Sequence, residues 1–216
     1  MTTGRMLATL AAASVLASGC LQKDVTEAWY LDETGAVTWV VIEKDVRSDA
    51  HAEADRQNEE RTYYQDVTRE QHMVARGFRA LGATNLRTRI LRSEVPYTVV
   101  TEGRFTGLDE LGRRIIAASG LAGTSVVTRE GNTWEWTFTI RDPHAEDVKP
   151  NEDVAALLGD LDKLQVVLVT GRFETAQLFS LSDDRRVATF DESQLKDLGE
   201  DATMAMKLRW RTRGGT

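Results

Sequence analysis

From Val25 onward the chain alternates short β-branched and aromatic runs with stretches of helical spacing. Val25 to Leu31 and Val37 to Glu43 read as strands. They flank Asp32-Glu33-Thr34-Gly35, where glycine is free to take a positive φ, so a hairpin is predicted to open the fold. In the second run Val37, Trp39 and Val41 alternate with Thr38, Val40 and Ile42; both faces are largely apolar, which places this strand centrally in its sheet. From Ser48, read as an N-cap, to Leu81 only Gly77 interrupts, and Gly82 supplies a stop, predicting one long helix or two. Tyr63, Val67, Val74, Phe78 and Leu81 form an apolar stripe spaced to pack on a sheet. Asp49 to Arg61 carry only alanine as apolar residues and read as a solvated helix, a mobile loop or a partner-docking arm. A single helix over 48–81 would be roughly 50 Å long at about 1.5 Å per residue.

The strand pattern returns at Asn85 to Arg92 and Tyr97 to Phe105, a second hairpin joined at Ser93-Glu94-Val95-Pro96. Thr106-Gly107-Leu108-Asp109 reads as a capping box. The helix it opens runs through Ser119, with Leu108, Leu111, Ile115 and Ala118 on one side and Gly120 and Gly123 as stops. Thr124 to Arg129 and Thr133 to Arg141 flank Glu130-Gly131-Asn132, a third hairpin whose Trp134, Trp136, Phe138 and Ile140 share a face that must be buried or bound. Residues 142–153 are a polar loop. Beyond it the pattern predicts a short helix over Val154 to Leu164, a strand over Gln165 to Phe173, a hairpin of Gln177 to Leu181 with Arg186 to Phe190, and a closing strand over Thr203 to Thr212. Gly-Arg-Phe ends two of these strands, at 103–105 and 171–173, and is ascribed to a shared bulge geometry. The expected class is α+β: an antiparallel curved sheet built from several hairpins, with one long and one shorter helix packed on it.

The first 20 residues follow another rule. Arg5 provides a positive start, Met6 to Val15 an apolar stretch, and Leu16-Ala17-Ser18-Gly19 small residues before the chain's one cysteine, Cys20. The segment is too short and too rich in Ala, Ser and Gly for a spanning helix, which needs roughly 20 predominantly apolar residues. It resembles the lipobox of bacterial lipoproteins, although Ala17 stands where leucine is usual and Leu16 lies one place further back. The resemblance implies a signal peptide over 1–19 removed before Cys20, lipidation (thioether diacylglycerol and an acyl, such as palmitate, on the new amino end) and a single extracytoplasmic domain over 20–216. Each buried methylene of an acyl chain contributes about 0.8 kcal/mol, so two or three chains hold firmly where one does not. Leu21, rather than aspartate, follows the cysteine and by the same resemblance favours the outer membrane, with the domain facing the periplasm. No Ser/Gly/Pro-rich tether separates Cys20 from the first strand.

Charge narrows the partners. The chain carries a formal net charge of −7; losing Arg5 with the signal makes it one unit more negative. An acidic surface disfavours nucleic acid, whose affinity comes from basic groups meeting phosphates, so no nucleic-acid partner is expected. A lone exported cysteine forms no internal disulfide, and acylation gives it a use. Candidate chemistry is sparse. His51 and His72 would lie roughly 30 Å apart on a straight helix and cannot share an ion, and His144 sits in a carboxylate-rich loop without EF-hand or zinc spacing. Gly120-Leu-Ala-Gly-Thr-Ser125 lacks the lysine of a phosphate loop, and there is no Gly-x-Ser-x-Gly elbow. No metal, cofactor or catalytic residue is assigned. All five tryptophans fall on predicted strands, so Trp134, Trp136 and Phe138 either fill the core or wall a pocket for a lipid or other amphiphile.

The lipobox, the opening hairpin with Asp-x-x-Gly at its turn, and the stretch from Tyr97 through Phe105 to Leu108-Asp109-Glu110-Leu111 together resemble the LppM-like lipoprotein domain of bacteria. That resemblance implies an α+β extracytoplasmic domain with an amphiphile-binding cavity and no catalytic residues. The charged segment from Ser48 to Arg61 and the lack of a C-terminal membrane helix depart from the family pattern. The expected function is a non-enzymatic, lipid-anchored binding or interaction module of the envelope, partnered by the membrane and by a lipid or an envelope protein. The alternative is a hydrolase acting on envelope material.

Overall fold

The longest pairing joins β1 (Leu21–Leu31) to β2 (Val37–Ser48), antiparallel from Leu21 opposite Ser48 to Leu31 opposite Val37. Asp32 closes the turn: its Oδ1 accepts the amides of Thr34 at 2.8 Å and Ala36 at 3.1 Å, while Gly35 takes φ +83°. The computed structural model describes residues 21–120, 122–141, 151–158, 164–191, 193 and 204–212.

Of the one helix or two expected over 48–81, two form, α1 (Glu53–Thr68) and α2 (Met73–Ala80). The chain turns at Glu70, where φ is +53°. Arg76 and Arg79 reach back to donate to the main-chain carbonyls of Gln71 and Glu70, satisfying acceptors that the broken helix leaves open. Ser48 is not an N-cap. It ends β2, and its hydroxyl donates to Glu59 at 2.5 Å and accepts the Ala50 amide. Within α1 only Tyr63 and Val67 are buried, so its first half is a solvated helix; α2 buries Val74, Ala75, Gly77 and Phe78. The apolar stripe thus continues across the break.

The second hairpin, β3 (Thr84–Arg92) with β4 (Tyr97–Phe105), forms as expected. The capping box does not. α3 (Leu108–Ser119) begins after an extended Gly107 whose position has no side-chain bond, and it stops at left-handed Gly120. The third hairpin is β5 (Ala122–Glu130) with β6 (Thr133–Arg141), followed by α4 (Glu152–Leu158). The chain ends in β7 (Gln165–Leu168), β8 (Arg172–Gln177), β9 (Phe179–Leu181), β10 (Val187–Phe190) and β11 (Met204–Arg211).

These strands make two sheets, not one: a seven-stranded sheet in the order β3-β4-β2-β1-β7-β10-β9 and a four-stranded sheet in the order β5-β6-β11-β8. Pairings are antiparallel except β1 with β7. The division arises at two residues. The strand predicted over 165–173 breaks at Gly171, φ +92°, and passes from the large sheet to the small one; Leu178, φ +64°, returns the chain to the large sheet. A Cβ on Gly171 would lie 2.1 Å from the Arg211 carbonyl oxygen. Gly103, by contrast, stands inside β4 opposite Trp39, where a Cβ would come within 2.8 Å of Phe78. The two Gly-Arg-Phe stretches therefore share no bulge.

The α+β class holds. Helices and small sheet lie on one face of the large sheet, whose Trp29 and Trp39 pack at 5.3 Å and meet Trp136 and Phe78 at 6.1 and 5.1 Å. β2 is central between β1 and β4, with Val37, Trp39 and Val41 buried and its outer positions half-buried. At Gly112 a Cβ would sit 2.2 Å from the Ser125 hydroxyl, which lets α3 lie close on β5.

Two glycine substitutions check this topology. Gly131→Ala, in an open turn at φ +58°, should cost about 1–2 kcal/mol from backbone strain alone. Gly171→Ala adds a steric clash and should lose clearly more, by about 2 kcal/mol or above. Urea unfolding midpoints measure both, and equal losses would show that the switch between sheets does not depend on Gly171.

Candidate functional site

An acid interrupts the inward register of each of the two central strands. Val25, Glu27, Trp29 and Leu31 point inward from β1, as do Val37, Trp39, Val41 and Glu43 from β2, and Glu27 and Glu43 are 1% and 2% exposed. Glu27 accepts the Trp39 indole N–H at 3.1 Å. Glu43 is the centre of a larger set: Lys23 Nζ donates to its Oε1 at 2.6 Å and the Tyr63 hydroxyl to its Oε2 at 3.1 Å. His72, the extended residue just before α2, brings Nε2 to 3.9 Å from Glu43 Oε2 and to 2.9 Å from the Thr101 hydroxyl. β1, α1 and the turn before α2 therefore converge on one carboxylate of β2, and β4 reaches it through His72.

These groups form a polar layer between two apolar clusters. On one side lies the main core with Trp29, Trp39 and Phe78; on the other lie Val46, Tyr63, Val67, Tyr97 and Val99, with Tyr63 stacked on Tyr97 at 6.1 Å. A cavity of about 530 Å³ borders the layer, lined by Lys23, Glu43, Tyr63, His72 and Arg76 among others, and opens beside Leu21.

Electrostatics shift two groups of the layer. Burial pushes the Tyr63 phenol far above its ordinary value, and the neighbouring Glu43 charge adds to the effect. Burial holds the His72 imidazole below its ordinary value; Glu43 opposes this, and Lys23 and Arg76 reinforce it. His72 is thus neutral near pH 7. Its Nδ1 is buried without a hydrogen-bond partner among the described residues. No group of three or more metal-ligating side chains occurs among them either.

The other expected site residues lie elsewhere. Trp134, Trp136 and Phe138 are 9%, 1% and 5% exposed and face the core between the sheets. The Trp136 indole donates to Ser125 at 3.0 Å; Trp134 stacks on Trp210 at 6.0 Å, with the Arg129 guanidinium 4.5 Å from its ring centre. None of the three lines the cavity beside Glu43. Cys20 and His144 lie outside the described residues. His51 is exposed near the start of α1, and His72 is the histidine that joins a cluster. Lys23, Glu43 and Tyr63 were not singled out from sequence, yet the signal was present: a glutamate in the inward register of a strand otherwise apolar on that face.

No family model matches the chain, and no curated protein matches it. Among solved structures it is similar to the folded domain of LppM from Mycobacterium tuberculosis, determined by NMR, with a TM-score of 0.38 and 11% identity over 89% of this chain and 91% of that one. This is the same domain that the sequence resembles.

Two measurements probe the layer. Lys23→Met leaves Glu43 buried without its cation and should cost about 3–5 kcal/mol in urea unfolding. Adding Glu43→Leu should recover part of that loss, and strictly additive effects would show that the pair is not coupled. The second is pH. The unfolded chain protonates its histidine near 6.5, whereas folded His72 resists until lower pH, so the unfolded state binds more protons and stability falls as pH drops below about 6.5. His72→Gln should flatten that slope between pH 7.5 and 5.5.

Proposed function

We propose that the protein is a lipid-anchored envelope lipoprotein acting as a non-enzymatic binding or interaction module, attached through Cys20 to the outer membrane and facing the periplasm. The observation that carries the reading is the lipobox itself: Arg5, the apolar run Met6 to Val15 and Leu16-Ala17-Ser18-Gly19 lead directly to the chain's one cysteine, Cys20. The described β1–β2 pairing, from Leu21 opposite Ser48, lies after a cut made before Cys20. No helix among the described residues is long and apolar enough to cross a membrane.

Binding is favoured over hydrolysis by the occupancy of the polar layer. Both oxygens of Glu43 are hydrogen-bonded, the Tyr63 phenol is held protonated, and the His72–Thr101 pair is buried with no acid on His72 Nδ1 among the described residues to orient the ring. Amphiphile carriage at Trp134, Trp136 and Phe138 requires the small sheet to part from the large one, because these rings fill the space between them. A partner meeting the outside of the domain requires no such opening.

Cys20→Ser should move the protein from the membrane to the soluble fraction, and sedimentation with membranes unchanged would overturn the anchor. Native mass spectrometry of the protein extracted from its own membrane should show a bound lipid or partner chain; bare monomer alone would count against the binding module.

A further inference from the structure

The end of the domain away from Leu21 carries a second cavity, of about 730 Å³, where the chain crosses from β7 to β8. Its wall includes Thr170, Arg172, Asp184, Arg186 and Arg211. Three cations against one anion reverse the sign of a chain whose net charge is −7. The arrangement is also costly. Arg172 and Arg211 stand directly opposite each other on neighbouring antiparallel strands, where like charges repel.

The structure leaves this repulsion only partly answered. Arg211 pairs with Glu174 at 2.9 Å. Arg186 is held by main-chain carbonyls, donating to Leu168 at 3.0 Å and Val169 at 2.7 Å, contacts that fix the guanidinium in place without cancelling its charge. Asp184 is turned to its own loop, accepting the Ser182 hydroxyl at 2.6 Å and the Arg186 amide at 3.1 Å. Neither Arg172 nor Arg186 has a carboxylate within ion-pair distance among the described residues, and Asp184, whose carboxyl is held below its ordinary value chiefly by the Ser182 hydroxyl and more weakly by the charges of Arg186 and Arg172, is the one acid of the wall. The Thr170 hydroxyl is buried and has no hydrogen-bond partner among them.

We propose that this cavity binds an anionic group with several oxygens, a phosphate or a carboxylate, between Arg172, Arg186 and Arg211. Guanidinium forks match such groups in two-point hydrogen bonds. Two of the three forks are already positioned, so little side-chain freedom is lost on binding. The site is independent of the anchor at Cys20 and stands or falls separately from it.

Calorimetric titration of the purified protein with inorganic phosphate, glycerol 3-phosphate and succinate, at ionic strength held constant with sodium chloride, tests the site. Binding of either phosphate identifies a phosphate site, and binding of succinate alone a carboxylate site. Arg172→Gln should weaken the observed binding at least tenfold while raising the urea midpoint of the unliganded protein, because it removes the cross-strand repulsion. Arg113→Gln, on an exposed turn of α3, should change neither. No binding above the chloride control, or equal binding by Arg172→Gln, overturns the proposal.

Discussion

Burying the Glu43 carboxylate is the constraint on which the rest of the large sheet depends. An ion moved from water to a protein interior loses several kcal/mol of solvation unless partners replace it. Here the partners are spread along the chain: Lys23 comes from the start of β1, Tyr63 from the last turns of α1, and His72 from the turn before α2. A one-residue slip between β1 and β2 would turn Glu43 to the outer face and Lys23 away from it. A straight helix from α1 into α2 would carry His72 off the sheet. The register of the first hairpin and the break between the helices are thus tied to one charge.

The apolar side of the fold is organised by the tryptophans, and their nitrogens divide them. Trp39 and Trp136 have partners in Glu27 and Ser125, while the buried indole nitrogens of Trp29 and Trp134 have none among the described residues. An unmet buried donor costs about 1–3 kcal/mol. Large aromatic burial outweighs this in a core that holds all five tryptophans, and it also fills the space that a wide amphiphile pocket between the sheets would need.

Local pattern carried most of the strand assignments, because alternation and turn residues act over a few positions. The three early hairpins, the stop at Gly120 and the central place of β2 were all legible. What escaped was set by long-range contact. Nothing local in Val169-Thr170-Gly171 says that the strand changes sheets; the cause is Arg211, 40 residues later, whose carbonyl occupies the space of a Cβ. Ser48 looked like a cap because Ser before an acidic run caps helices, yet pairing with Leu21 kept it in the strand. In the same way His72 appeared isolated along the chain, and only the return of β4 set Thr101 beside it. The acids of the polar layer were readable in principle, since a glutamate in an inward register needs a partner from elsewhere.

The absence of any spacer before β1 has a geometric consequence under the proposed anchor. Consecutive Cα atoms are 3.8 Å apart, so the first pair of the main hairpin would be held within a few ångströms of the acylated residue. β1 has 11 residues, and at about 3.3 Å each it reaches roughly 35 Å. The strand would act as a short rigid post: the turn at Asp32-Gly35 and the arginine-lined cavity beside the β7–β8 crossing stand at its outer end, at a distance from the anchor set by strand length rather than by linker slack. Such a domain would keep its outer end within about one strand length of the anchored residue whatever its tilt, and whatever meets that end must come within that reach.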